Sequence, residues 1–575
     1  MTEKDTAGSP AWGAAVSLEI YVWNYSRRFF CKDRRSVPDL KTAESGNYGK
    51  NSGISEVPGV TDFAGKRPHF VIYWGQTGVV YEGYFMNDVF EIIKTGIDFF
   101  CGHLVFFNML FAIAIVFFQR RDPKSVWAWL LLLYFIPVLG FVFYLLLGQD
   151  MHKRKMFRIK EVEDHISKDI RQQEYRLKVR DAQELDESIR GYEDLVMYNL
   201  ETGETMLTKD NDVEIFIDGN EKFHALMEDL RNAEHFIHIQ YYIIKNDVLF
   251  HQIKDILIEK AAQGVEVRVL FDAMGCRSVR HSFWKKLNEK GVQTAEFFPA
   301  ILRRLQLRIN YRNHRKIVVI DNKVAYVGGF NVGKEYIDLD ERFGHWRDTH
   351  LRICGNGVLG LQVRFVLDWN YAAGENLFLQ PELFRGIEAG TRDFCDMQII
   401  SSGPDKSTQQ IHDNYLRLIN KAEKSIYIQT PYFIPDEAIL NALMIAVKSG
   451  IEVNIMIPCM PDHPFVYWAT YSYIGDMVMA GANCYTYNNG FLHSKGMIVD
   501  DRVFCYGTAN MDIRSFALNF EVNAVVYDEK KAREMVELFQ EDLKVCRQIT
   551  RDYYAGRKLK IRVKEQVCRL LSPLL

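Results

Sequence analysis

Two stretches of this 575-residue chain set an imidazole two positions before an ammonium, His314-Arg-Lys316-Ile-Val-Val-Ile-Asp321 and His493-Ser-Lys495-Gly-Met-Ile-Val-Asp500. Read as strands, residues two apart share a face, so each motif presents its histidine and lysine together above a buried apolar run. A single match of this kind carries little weight. Two carry much more, because a small-residue turn and an asparagine follow each at the same offset: Gly328-Gly329-Phe330-Asn331 and Gly507-Thr508-Ala509-Asn510.

Such a pair suits attack on a phosphodiester, whose charge repels nucleophiles and whose leaving oxygen needs a proton. One neutral imidazole can attack phosphorus to give a phosphohistidine, while the other, protonated, passes its proton to the departing oxygen. The roles reverse in the second step. Lys316 and Lys495, with the side-chain amides of Asn331 and Asn510, can surround the non-bridging oxygens and hold the charge that grows on phosphorus. No metal or other cofactor is then required, and the sequence shows neither a carboxylate cluster for magnesium nor a His/Cys site for zinc. One residue type must act as base in one place and acid in the other, so each histidine needs its own neighbour to set tautomer and pKa. Two acids occupy comparable places on the strand after each asparagine turn: Asp348 in HWRDTHLRI, 17 residues past Asn331, and Glu521 in LNFEVNAVV, 11 past Asn510.

These residues resemble the phospholipase D superfamily, whose members build one active site from two His-Lys-Asp motifs. More narrowly the chain is similar to the bacterial cardiolipin synthases of that superfamily, from about Asp98 to its carboxyl end. The resemblance implies His314, Lys316, Asp321, His493, Lys495 and Asp500 as the catalytic motif residues, with Asn331 and Asn510 at the substrate phosphate and Asp348 and Glu521 orienting the histidines. Within that set it implies that Asp321 and Asp500 brace the fold from the far end of the strand. It further implies a phosphatidyltransferase that joins two phosphatidylglycerol molecules into cardiolipin and releases glycerol, with retention at phosphorus. Phosphatidylglycerol and membrane phospholipids are then the partners. A hydrolase, or a transferase with another acceptor alcohol, would use the same residues. A nuclease fits less well: net charge is −3, and nothing like an aromatic-plus-cation groove for nucleic acid is evident. An inactive membrane scaffold would predict a damaged motif, and both are complete. The motifs leave open which histidine attacks first and the oligomeric state.

The elements that must position these groups are themselves duplicated. Ala233-Glu-His-Phe-Ile-His-Ile-Gln240 returns as Ala422-Glu-Lys-Ser-Ile-Tyr-Ile-Gln429, and Gly264-Val-Glu-Val-Arg-Val as Gly450-Ile-Glu-Val-Asn-Ile. A shrinking offset between the copies means two related halves with different loop lengths. Helix and strand alternate within each, so the expected class is α/β: two duplicated phospholipase D-like halves, 211–390 and 391–575, with mixed β-sheets flanked by helices, paired about a pseudo-two-fold axis around one shared active site.

Ahead of the halves, residues 99–118 and 126–147 carry no charge and are long enough to cross a hydrocarbon layer of about 30 Å, which predicts a two-helix transmembrane hairpin over 96–150. Basic residues on its flanks, Lys94 and Lys153 to Lys160, outnumber those in the loop, which places both flanks and the catalytic part on the cytoplasmic face of a bacterial cell membrane. His103, Asn108 and the Pro137/Gly140 pair are assigned to helix packing. Residues 151–210, dense in alternating charge, read as an exposed helical connector. Residues 1–95 have no sustained period and read as a poorly ordered extension, in which the aromatic clusters 20–25 and 70–74 fit strands or membrane-surface contacts equally well. The ten scattered cysteines have no paired spacing and are expected to be reduced. The basic amphipathic tail from Arg557 fits either an anionic lipid surface or a docked terminal helix.

Overall fold

The computed structural model describes residues 84–118, 123–147, 173, 187–203, 205–299, 311–385, 395–406 and 408–572. Residues 1–83 of the extension and most of the charged connector lie outside these residues, whereas 84–95, expected to be poorly ordered, are helical and open the helix Tyr84–Phe118.

The apolar runs with β-branched residues become strands of one continuous 16-stranded sheet. From one edge its order is Gln293–Phe297, Glu266–Asp272, Phe236–Tyr241, Ile317–Ile320, Val324–Gly328, His350–Gly355 and Thr208–Phe216. It continues through Cys395–Ser402, Asn519–Tyr527, Val503–Gly507, Gly496–Val499, Ser425–Gln429, Glu452–Pro458 and Asn483–Tyr487 to Cys546–Gln548, with the sixteenth strand, Arg312–Asn313, paired to Asn519–Tyr527 off this path. The second sequence retraces the first in reverse, the two-fold relation expected of a duplication. Pairing is mixed: the three outer strands of the first half and their three counterparts in the second run parallel, those around the motif strand antiparallel, and the added edge strand Cys546–Gln548 antiparallel. In place of a separate sheet in each half there is a single one, because Thr208–Phe216 pairs antiparallel with both His350–Gly355 of its own half and Cys395–Ser402 of the other. That pairing leaves no bare edge at the centre. Helices cover both faces, and the motif strands Ile317–Ile320 and Gly496–Val499 are buried throughout.

Helix Glu193–Gly203 falls within the segment read as an exposed connector, and the structure corrects that reading. Leu195, Val196 and Leu200 pack in the core of the second half with Ile411, Tyr415 and Ile419. Asn199 donates to Gln398 and Asn414 at 2.9 and 3.0 Å. The abundance of charge just upstream masks an ordinary apolar stripe.

Near the amino end, helix Tyr84–Phe118 runs for 35 residues, and the helices Pro123–Phe135 and Pro137–Leu147 pack against it, with Phe111 against Phe141 and Tyr144 at 5.2 and 4.8 Å between ring centres. The expectation of two unbroken spans is corrected at the second, while residues 99–118 lie within one helix; among the described residues no helix is long and apolar enough to cross a membrane. The second stretch breaks at Ile136 into helices of 13 and 11 residues, each well short of about 30 Å at 1.5 Å per residue. Pro137 causes the break, since it has no N–H for the Leu133 carbonyl. Asn108 satisfies that orphan, its Nδ2 donating to Leu133 O at 3.2 Å and Pro137 O at 3.1 Å. Gly140 belongs to the same bend, where a Cβ would stand 2.6 Å from the Leu132 carbonyl oxygen. Beyond Asp98 the outward side chains of these helices are mostly apolar, among them Val105, Phe117, Trp127 and Tyr134.

The tail resolves in favour of docking: helix Leu559–Leu570 lies against helix Pro464–Ala480, with Cys568 packed on Ala469 and Ile434. The eight cysteines from Cys276 to Cys568 are free thiols.

Candidate active site

Each motif histidine sits where its own half meets a strand of the other. Arg312–Asn313 pairs with Asn519–Phe520, and His314 N donates to Phe520 O at 2.9 Å. Phe491–Leu492 pairs with Trp346–Arg347, and His493 N donates to Arg347 O at 2.7 Å. The residue that follows each acceptor is one of the expected acids, so the acids cross over. Nδ1 of His314 lies 3.0 Å from both carboxylate oxygens of Glu521, and Nδ1 of His493 lies 2.6 Å from Oδ2 of Asp348. The unequal spacing from the asparagines proves harmless: Asp348 stands two residues before the partner of Gly328, and Glu521 two before the partner of Gly507. A short helical turn follows the asparagine in both halves, Lys334–Ile337 and Ile513–Ala517, and the extra residues of the first half come after it.

Both acids are fully buried, yet both are held below their ordinary carboxylate range. Burial pushes each up, and the neighbouring lysine and histidine outweigh it: Lys495 and His493 for Asp348, His314 and Lys316 for Glu521. The histidines move the same way for a different reason. Burial lowers both, the ammonium groups of both motifs lower them further, and the paired acids oppose. His493 is pulled down to about 4. That Lys495 bears on His314 and Lys316 on His493 ties the two motifs into one electrostatic site. Among the described residues Nε2 of each histidine has no protein hydrogen-bond partner, while Nδ1 is engaged. The arrangement presents two imidazoles with reactive nitrogens free.

The lysines are buried and their pKa values depressed, chiefly by burial, Lys495 to about 8. Lys316 Nζ donates to His314 O at 2.6 Å. Lys495 Nζ lies 2.7 Å from Nδ1 of His493 and 3.7 Å from Asp348. Nδ1 cannot donate to Asp348 and accept from Lys495 at once, so the second motif divides its ring nitrogen between two claims that the first does not face.

The remaining expected residues fall into two groups. Asp321 accepts from the backbone N–H groups of Glu234, His235 and Phe236, and Asp500 from those of Glu423, Lys424 and Ser425, all at 2.7 to 2.9 Å. Both stand in left-handed turns beyond the motif strands, the end away from the histidines. Asn331 accepts from Ile243 N and donates to Tyr336 Oη, both at 3.0 Å, so its amide already has protein partners. Asn510 is buried, and its Oδ1 has no hydrogen-bond partner among the described residues.

Several neighbours complete the site beyond the expected residues. Thr508 Oγ1 donates to Glu521 at 2.6 Å. The matching residue of the first half is Gly329, where a Cβ would stand 1.9 Å from Asp348 Oδ1. Tyr242 and Trp346 set ring edges against His314 and His493 at 4.9 and 5.1 Å. Below the histidines, Asp368 receives Gln240 and Arg315, and Asp542 receives Gln429 and Arg347. Gln240 and Gln429 are visible as identical letters in the repeat; their acids, over a hundred residues away, are not. Asp218, Asp338 and His345 also converge, with one ligand atom each within 4.8 Å of the others, a group that 120 residues of separation hide from any inspection for neighbouring carboxylates. Asp218 caps helix Gly219–Arg231 and Asp338 accepts from Trp346 N.

Comparison with known proteins places this geometry. Residues 226–342 and 415–543 match the family described as cardiolipin synthase, PLD-like domain, and residues 107–149 match the phospholipase D-nuclease N-terminal family. The chain is 48% identical over 470 residues to the major cardiolipin synthase ClsA of Bacillus subtilis (strain 168), covering 81% of this chain and 97% of that one. It is 47% identical over 470 residues to a cardiolipin synthase of Staphylococcus aureus (strain Mu50), covering 81% and 95%. Among solved structures, phosphatidylserine synthase of Haemophilus influenzae Rd KW20 shares the fold, with a TM-score of 0.51 at 15% identity over 68% of this chain and all of that one. Identity close to one half along nearly the full length of such relatives, over a site in which each half lends its acid to the other half's histidine, makes this chain a member of the cardiolipin synthase family of phospholipase D-like enzymes.

Proposed function

We propose that this enzyme makes cardiolipin from two molecules of phosphatidylglycerol by double displacement through a phosphohistidine. The observation that carries the reading is the pair of imidazoles, each with Nδ1 held by a buried acid and Nε2 free. Nε2 of His314 attacks phosphorus as Nε2–H of His493 protonates the glycerol oxygen; the phosphorus–oxygen bond breaks and glycerol leaves. A second phosphatidylglycerol then gives its hydroxyl proton to His493 and attacks the phosphohistidine, which restores His314 and forms cardiolipin. Two inversions give retention. Lys316 and Lys495 face the charge that grows on the non-bridging oxygens.

The roles follow from the unequal surroundings. Glu521 faces His314 with both oxygens, which supports a nucleophilic ring, whereas His493 beside Lys495 is the stronger acid once protonated. The negative charge of an arriving phosphodiester favours that protonation. The apolar outward side chains over 99–143, together with the N-terminal family match, support anchoring in the bacterial membrane where the substrate resides. Purified enzyme given phosphatidylglycerol alone should yield cardiolipin and glycerol in equal amounts. Phosphatidic acid without cardiolipin would overturn the reading in favour of hydrolysis.

A further inference from the structure

Docking uses only one side of the C-terminal helix Leu559–Leu570. Glu565 and Cys568 are buried against helix Pro464–Ala480, Glu565 pairs with Arg557 at 2.8 Å, and Arg569 pairs with Asp476 at 2.7 Å. At about 100° per residue, Leu559, Val563, Val567 and Leu570 fall within an arc of roughly 80° on the opposite side. They are 77, 54, 52 and 81% exposed. Lys560 and Arg562, both exposed, flank that arc, and the exposed Lys558 stands at the helix's amino end. An apolar stripe with a cationic rim is the pattern of a helix that lies in the headgroup layer of a bilayer.

Its position suits that role. The supporting helix begins two residues after Asp462, whose carboxylate accepts from Tyr432 Oη and bears on the charge of Lys495. Phe465, in the first turn of that helix, is 60% exposed. One rigid pair of helices therefore runs from the edge of the site to the stripe. A second copy of this chain fits less well: four side chains fall far short of the roughly 800 Å² per partner of a stable interface, and a cationic rim repels itself. The same cations are complementary to anionic headgroups.

We propose that the Leu559/Val563/Val567/Leu570 face lies on the surface of an anionic phospholipid bilayer and holds the active site at headgroup level. The proposal rests on phosphatidylglycerol being the substrate, so the test scores its consumption separately from the identity of the product. Full-length enzyme and the V563D/V567D variant are compared on phosphatidylglycerol bilayers and on dihexanoyl phosphatidylglycerol dispersed below its micelle concentration. The variant should lose about tenfold on bilayers and less than about twofold on the dispersed lipid. Lys558→Gln with Lys560→Gln should weaken the bilayer rate alone, and added salt should do the same to the wild type. An undiminished bilayer rate, or equal loss on both substrates, would overturn the proposal. So would a bilayer loss accompanied by a smaller oligomer in detergent, which would assign the face to a second copy. Formation of phosphatidic acid in place of cardiolipin would refute the synthase reading, and the ratio of the two consumption rates would still decide whether the face lies on the bilayer.

Discussion

Replacing Asp348 by asparagine exchanges one oxygen for an amino group and should stop the enzyme while leaving it folded. Oδ1 of Asp348 accepts from Thr349 N at 2.8 Å, and Oδ2 faces Nδ1 of His493 at 2.6 Å. The Thr349 bond keeps the asparagine oxygen in the Oδ1 place, so the new NH₂ faces Nδ1 and donates to it. The ring proton is then driven to Nε2, where the second step needs a lone pair. The same exchange costs about 10⁴-fold in a Ser-His-Asp triad, and a loss of about 10³- to 10⁴-fold in kcat is expected here. Stability should change far less. An ammonium left buried without its acid would cost about 3–5 kcal/mol, but Lys495 sits at about 8 and can shed its proton at pH 7 for about 1.4 kcal/mol. The cheaper route wins, so the variant should melt only a few degrees below the wild type. The assay is conversion of phosphatidylglycerol to cardiolipin beside a thermal melt. A folded D348N enzyme within tenfold of the wild type would refute the tautomer argument, and one that fails to fold would refute the stability argument.

The two histidines should separate on a substrate that leaves without a proton: His314→Ala is inactive toward every ester, whereas His493→Asn releases about one nitrophenolate per enzyme from a phosphatidyl nitrophenol and then stalls. Covalent phosphate trapped on His493 in the His314→Ala enzyme would exchange the roles. Because His493 is held at about 4, below its ordinary value near 6.5, the unfolded chain takes up a proton that the folded one refuses between those values, and stability falls as the pH drops through that window. The slope reaches about 1.4 kcal/mol per pH unit, and His493→Asn should flatten it in melts taken from pH 7 to 4; an unchanged slope would place the acid lability elsewhere. Chelator should leave the rate within about twofold, since the two lysines face the phosphate charge; abolition with rescue by one divalent ion would point to Asp218, Asp338 and His345.

Much of the site is readable because duplication writes each functional residue twice. The histidines, lysines and asparagines announce themselves by shared offsets, and even Asp348 and Glu521 can be found from their strands. What the letters do not carry is the crossing. Nothing in the spacing of Asp348 says that it serves His493, 145 residues on, because that pairing depends on Phe491–Leu492 lying beside Trp346–Arg347. Asp368 and Asp542 are invisible for the same reason, as single acids on helices far from the motifs. Charge misleads once, at 193–203, where the acids and bases upstream draw attention from three buried apolar residues. Length misleads once more, at 126–147: an uninterrupted apolar run suggests an uninterrupted helix although Pro137 stands within it.

The crossed acids also bear on how such a chain tolerates damage. A lesion at Glu521 is felt at His314 and one at Asp348 at His493, so neither half can be impaired alone, and a spare copy inside the same chain offers no insurance. His314→Ala and Glu521→Gln should then behave as one injury, the double variant no worse than the worse single, although 207 residues separate them. An isolated half would carry a histidine without its acid and an acid without its histidine. Two such pieces would have to find each other in solution, whereas joining them in one chain makes that encounter intramolecular and independent of how much protein the cell makes.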